Sequence, residues 1–184
     1  MDGRATRILS QTDFERKTLA VARSLIGKYL VRDGPAGVQA GKIVEVEAYV
    51  GPQDRACHAS RGRTPRTDVM FGRAGLAYVY LVYGMHHCLN VVTEREGFPA
   101  AVLIRAVQAA APTLLIDGPG RVCRFFGIDR THNRLDLTTG SLLWIEDRRE
   151  RVEKSAISTF PRIGVDYAGE WAAKPYRFRL NGLS

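Results

Sequence analysis

The apolar positions of the chain follow two different periods. Leu19, Val21, Ala22, Leu25 and Ile26 recur at helical spacing, with Thr12 and Glu15 fitting a capping box ahead of them and Gly27 placed to end the turn. One helix is therefore predicted between residues 12 and 26. Strand-like runs follow at 28–32, 38–50, 76–83 (LAYVYLVY), 87–93 (HCLNVVT), 100–107 (AAVLIRAV), 141–146 and 175–180. YGMH at 83–86 reads as a hairpin tip, and 51–74 as a long loop rich in Arg, Gly and Pro. Residues 118–128 read as a loop and a short helix, with Pro119 near its start and Gly127 near its end. No repeat, low-complexity tract or linker divides the chain. One helix, a series of adjacent strands and then mixed elements predict an α+β fold with a largely antiparallel sheet, as a single domain over 1–184.

Composition narrows the class. With 184 residues and 45% hydrophobic content the chain can build a core. No apolar run reaches the length of a membrane span, and MDGRATRILSQTDF lacks the apolar stretch of a signal peptide, so a cytoplasmic location is expected. Cys57, Cys88 and Cys123 are odd in number and scattered, which favours reduced thiols over disulfides. The net charge is +8 and the pI about 9.8. Most of the positive charge is arginine, whose fork suits phosphate. GC-rich codon usage also enriches arginine, but Arg61, Arg63 and Arg66 cluster in a loop-like stretch, which favours a polyanionic partner, nucleic acid first.

Candidate chemistry begins in IVEVEAYVGPQDRACH (43–58). Alternation places Val44, Val46 and Ala48 on one face and Glu45, Glu47 and Tyr49 on the other. For Glu45 the plain reading is a solvated residue on a wet face. Glu47 is different, because Tyr49 and the basic loop containing His58 stand beside it; a carboxylate there can act as a general base or stabilise a developing cation. Tyr78 and Tyr80 share a face, and core packing is expected for at least one. Tyr83, bulky and at a tight turn, is exposed by geometry and suits a wedge between base pairs. Asn90 and Arg105 interrupt apolar runs, serving either structural hydrogen bonds or a site shared with Glu47. Gly118-Pro119-Gly120-Arg121 opens a helix whose amides, with Arg121 and Arg124, can hold a phosphate, although Gly-Pro also simply turns a chain. Cys57-His58 and His86-His87-Cys88 match no zinc spacing, so neither metal nor cofactor is expected.

Together IVEVEAYVGPQDRACHASRGRTPR, MFGRAGLAYVYLVYGMHHCLNVV, AAVLIRAV, DGPGRVC and RIGVDYAGEWAAKPYRF resemble the alkyladenine (3-methyladenine) DNA glycosylase family. The similarity runs from LIGKYLV near residue 25 almost to the C-terminus. It implies a curved, mainly antiparallel sheet bearing a protruding β-hairpin, with helices around it. It implies Glu47 as the catalytic glutamate that activates water, with Arg105 near that water and the nucleotide's phosphate. Tyr49, His58 and Tyr80 correspond to residues enclosing a flipped base, and Asn90 to the pocket floor. Tyr83 corresponds to the tyrosine that fills the gap in the duplex, and Met85 to a residue near the hairpin tip. Arg61, Arg63, Arg66, Gly120 and Arg121 complete the expected DNA contacts. The implied partner is double-stranded DNA containing damaged purines, engaged by a monomer without a cofactor. Two features depart from the family: RAVQAAAPTLLIDG (105–118) is short, and His86 stands where vertebrate members often carry tyrosine. The runner-up is a non-catalytic basic nucleic-acid-binding domain of the same fold. A glycosylase with lyase activity would need an amine; no lysine lies in the Glu47 motif or the hairpin, although Lys42 is on the same predicted strand.

Overall fold

The computed structural model describes residues 6–35, 37–110 and 113–183. Residues 1–5, part of the stretch read for a leader, and 111–112, inside the short 105–118 stretch, lie outside them. In chain order the elements are β1 (Arg7–Ile8), α1 (Gln11–Phe14), α2 (Thr18–Leu25), β2 (Tyr29–Gly34), β3 (Gly37–Tyr49), β4 (Ala77–Val82), β5 (His86–Val92), β6 (Ala101–Ala110), β7 (Thr113–Asp117), α3 (Pro119–Phe126), β8 (Leu143–Asp147), β9 (Ile157–Phe160) and β10 (Arg177–Leu180). Short 3₁₀ turns lie between them, among them His58–Arg61, Asp68–Phe71 and Asp166–Trp171.

All strands join one curled antiparallel sheet, as the α+β reading expected. Two long strands, β3 and β6, pair along its middle. Each is served by two partners in succession on its outer edge: β3 by β2 and then β10, β6 by β5 and then β7. The β3–β6 register is broken twice, and the pairing passes over Val44 on β3 and then Arg105 on β6 before returning to phase. Bulges of this kind bend a strand and re-aim side chains.

The predicted single helix is two. Ser10 and Asp13 form the capping box of α1, not Thr12 and Glu15, with the Ser10 N–H donating to Asp13 Oδ2 at 2.8 Å. Phe14 is fully buried and turns the chain there, and α2 restarts at Thr18. The Thr18 N–H and hydroxyl donate to Glu94 at 2.7 and 2.9 Å, so a residue 76 positions away caps α2, which local pattern cannot reveal. Gly27 ends α2 as expected: its φ of +88° is glycine's territory, and a Cβ there would meet Val152 at 2.4 Å.

Helices α2 and α3 bury Val21, Ala22, Leu25, Val122, Cys123 and Phe126 in the main core. The predicted long loop 51–74 folds through two 3₁₀ turns and buries Cys57, Ala59, Val69 and Met70 with Tyr78 in a second cluster. Every residue of β3 from Ile43 to Ala48 is buried, with arginines of β6 and β10 closing over Glu45. This corrects the solvated reading of Glu45, which is 1% exposed. The three cysteines are free and buried. Among the described residues no helix is long and apolar enough to cross a membrane.

Candidate active site

Glu47 is fully buried near the end of β3, yet borders a cleft of about 480 Å³ with Tyr49, His58, Arg66, Tyr80, Tyr83 and Arg105. Both of its oxygens are held. Oε1 accepts the Ile163 backbone N–H at 2.8 Å and Oε2 accepts the Tyr49 hydroxyl at 2.8 Å. Arg105 Nη1 stands 3.5 Å from Oε1. Burial raises the Glu47 pKa above the ordinary glutamate value, while Arg105, the Ile163 amide and the Tyr49 hydroxyl pull against it. Arg105 is the residue that the β6 register passes over, and it reaches two carboxylates: Nε lies 3.3 Å from Glu45 Oε1. Glu45 also accepts from Arg177 at 3.1 Å and from Arg179 at 2.7 Å. The second glutamate of the motif, itself buried, is thus the hub of a partly buried arginine cluster behind Glu47.

Aromatic rings wall the cleft. His58 meets Tyr80 edge-on at 4.7 Å between centroids, and Tyr78 lies 5.2 Å from Tyr80. Tyr78 is the packed member of the pair, at 2% exposure, and its hydroxyl stands 3.0 Å from His58 Nδ1. Burial, with Arg66 adding to it, lowers the His58 pKa to about 4, so the ring is neutral near pH 7. Arg66 lies 5.0 Å over the Tyr80 ring. Asn90 is below the cleft rather than in it, donating to the Tyr78 carbonyl at 3.1 Å; with Tyr49, His58, Tyr80 and Met70 it lines a remnant of about 10 Å³, room for roughly one water.

The β4–β5 hairpin rises beside the cleft. Its turn has Tyr83 at φ +49° and Gly84 at φ +68°, closed by the Met85 N–H donating to the Val82 carbonyl at 3.0 Å. Positive φ at both central positions suits the twist of a two-stranded ribbon, but a non-glycine residue is strained there by about 1–2 kcal/mol. The strained tyrosine is 90% exposed and Met85 71% exposed. A groove of about 720 Å³ runs from this hairpin to the start of α3 and is lined by Arg105, Gly120, Arg121 and Arg124. Gly120 permits that approach, since a Cβ would stand 3.0 Å from His86 Cβ. Arg61 and Arg63 lie outside both clefts; Arg61 is exposed, and Arg63 pairs with Asp68 at 2.6 Å.

The sequence model of the methylpurine-DNA glycosylase family matches residues 12–184. The chain belongs to the methylpurine-DNA glycosylase family. It is 52% identical over 172 residues to a protein of Myxococcus xanthus, covering 92% of this chain and 88% of that one. It is 49% identical over 185 residues to one of Methanocella arvoryzae, covering 93% and 91%. A protein of Anaeromyxobacter dehalogenans strain 2CP-C is 50% identical over 175 residues, covering 95% and 84%. Each of the three bears the name "Putative 3-methyladenine DNA glycosylase".

Sequence reasoning did not assign a role to three residues that this methylpurine-DNA glycosylase family member places around the carboxylate. Ile163 holds Glu47 through its amide, and its neighbour Arg162 pairs with Asp54 at 2.5 Å in full burial. The partners lie 116 and 108 residues apart and share no periodic signal.

Proposed function

We propose that the chain is a monofunctional DNA glycosylase acting as a monomer on double-stranded DNA, removing alkylated or deaminated purines and leaving abasic sites. The observation that carries this reading is a buried carboxylate with both oxygens held, facing an aromatic-walled cleft beneath an exposed, strained tyrosine. A base inside a duplex is out of reach, so the damaged nucleotide rotates outward at a cost of a few kcal/mol. Tyr83 fills the space left behind, and base–aromatic stacking returns roughly 1–3 kcal/mol. Tyr49, His58 and Tyr80 enclose the base; a purine made cationic by N-alkylation gains further from the tyrosine faces.

Ionised Glu47 removes a proton from water as the water oxygen bonds to C1′. The N-glycosidic bond breaks with its electron pair going to the purine, and the carboxylate steadies the oxocarbenium-like sugar. A pKa raised by burial makes Glu47 a stronger base than an exposed glutamate. Arg105, between Glu47 and the basic groove, is suited to the phosphate of the rotated nucleotide. Among the described residues no lysine lines this cleft, and Lys42 is engaged by Glu150 at 2.5 Å. A binding domain without chemistry would gain nothing from a buried carboxylate in a phosphate-attracting cleft.

The test uses duplexes carrying one hypoxanthine, and DNA carrying N-methylpurines, with a chelator present throughout. Strand breaks should require the alkaline step and disappear in Glu47→Gln, which retains lesion binding. Wild-type breaks in Glu47→Gln would overturn the mechanism. Intact binding without breaks in the wild type would support the non-catalytic domain.

A further inference from the structure

The ion pair behind Tyr49 has no part in the mechanism above, yet it is the most enclosed charge pair around the cleft. Arg162 and Asp54 side chains are both 0% exposed. The guanidinium donates Nη1 to Asp54 Oδ2 at 2.5 Å and Nη2 to Oδ1 at 2.8 Å. Nη1 also reaches the Ala48 carbonyl at 2.9 Å, and Nη2 the Trp171 carbonyl at 3.2 Å. Asp54 in turn accepts the backbone N–H groups of Val50 and Ala56, both at 3.1 Å, fixing the turn that leads from β3 to His58. The Arg162 Cζ lies 4.8 Å from the centroid of Tyr49 and 5.3 Å from that of Tyr176.

These contacts bear on the chemistry through one peptide on each side. Ala48, bonded to the guanidinium, separates Glu47 from Tyr49. Ile163, which holds Glu47 Oε1, follows Arg162 directly. A small rotation of the 162–163 backbone would withdraw that N–H. Apolar groups of similar volume commonly replace a buried ion pair without loss of stability, so stability alone is a poor reason for this one. We propose that Arg162, clasped by Asp54, is a positioning residue that sets the Glu47 carboxylate and the plane of the Tyr49 ring. The inference rests on the reading of Glu47 as the base.

Glu47 is also faced by Arg105 from β6, Cys88 from β5 and Tyr49 on its own strand, and the Arg162 charge itself favours its ionised form, while Arg177, opposite it on β10, turns to Glu45 and the Pro161 carbonyl. Loss of the Ile163 N–H leaves these groups in place and removes one donor that favours the ionised form. Arg162→Lys keeps the charge without the fork. Its single-turnover excision rate should fall by about 100-fold, the scale of a small misplacement of reacting groups. Its affinity for lesion duplex, read by fluorescence anisotropy, should stay within about threefold. The acid limb of its pH–rate profile should move to higher pH. Asp54→Asn/Arg162→Met removes both charges, so no lone buried charge unsettles the fold, and it should show the same slow rate; its limb moves further, because the Arg162 charge that favours ionised Glu47 is lost as well, so the charge-preserving Arg162→Lys carries the pH readout of positioning.

Wild-type rates with an unmoved limb in either folded variant would overturn the proposal. So would equal losses of rate and binding with the limb unmoved, or failure of both variants to fold, each of which marks the pair as structural only. Glu47→Gln in parallel separates the two readings: excision retained there overturns the role of Glu47, whereas an inactive Glu47→Gln beside a normal Arg162→Lys overturns the clasp alone.

Discussion

Replacing Glu45 by glutamine changes one atom and should be costly. Glu45 is 1% exposed and accepts from Arg105, Arg177 and Arg179. Glutamine keeps one acceptor oxygen, but turns an NH₂ toward a guanidinium and removes the negative charge that balances the cluster. Breaking a buried ion pair from one side costs about 3–5 kcal/mol. The low end applies, because the Arg177 and Arg179 side chains are 17% and 29% exposed and can turn to water, whereas Arg105 is 12% exposed and stays. A loss of about 3 kcal/mol in a chain of this size lowers Tm by roughly 6–12 °C. Arg105 is then left with Glu47 as its carboxylate partner and draws closer to it, which favours the ionised form but makes it a weaker base. Single-turnover excision near pH 7 should fall at least tenfold, about 1.4 kcal/mol of barrier. Thermal unfolding by circular dichroism and excision from a hypoxanthine duplex under enzyme excess read the two effects. A Glu45→Gln protein with wild-type Tm and wild-type rate would refute the hub.

Tyr83→Asn should trade activity for stability: asparagine suits the left-handed position before Gly84, which gains about 1 kcal/mol or roughly 2–4 °C in Tm, while lesion-duplex affinity drops about tenfold or more through lost stacking. His58 should remain neutral to well below pH 6 in imidazole NMR spectra, since its pKa is lowered to about 4. Between about pH 6.5 and 4 the unfolded chain binds a proton that the folded chain refuses, so His58 makes stability fall as pH drops through that window; a His58→Asn variant loses that part of the slope. Borohydride in the presence of lesion DNA should trap no covalent adduct, and Lys42→Ala should excise as the wild type does, as its pairing with Glu150 implies.

The strands and the hairpin were legible because alternation and β-branched or aromatic content are local signals, and the exposure of Tyr83 followed from its place at a turn. The alternation also separated Glu47 and Tyr49 from Val46 and Ala48, a local signal of two distinct faces. What stayed hidden depends on distant partners. Glu45 read as wet because nothing nearby announces the arginines of β10, over 130 residues away. The helix read as continuous because the Glu94 cap of α2 lies 76 residues away. Strands β1 and β9 carry too few residues for a pattern and were not predicted; nor was β7, in a segment that looked merely short, which pairs back on β6 with Ala110 opposite Thr113. Arg162 and Asp54 carry no periodic signature, since their significance lies in the meeting of two loops.

The two breaks in the β3–β6 register have a consequence for the cleft. One residue is passed over on each strand, Val44 and then Arg105, and the ladder resumes with Val46 opposite Ile104. Each skipped residue is an extra one absorbed by its own bulge: Ile43 and Val46 both face the main core across Val44, as Ile104 and Val107 do across Arg105. The arginine of the cleft thus stands on a residue that the pairing of β3 with β6 does not itself use.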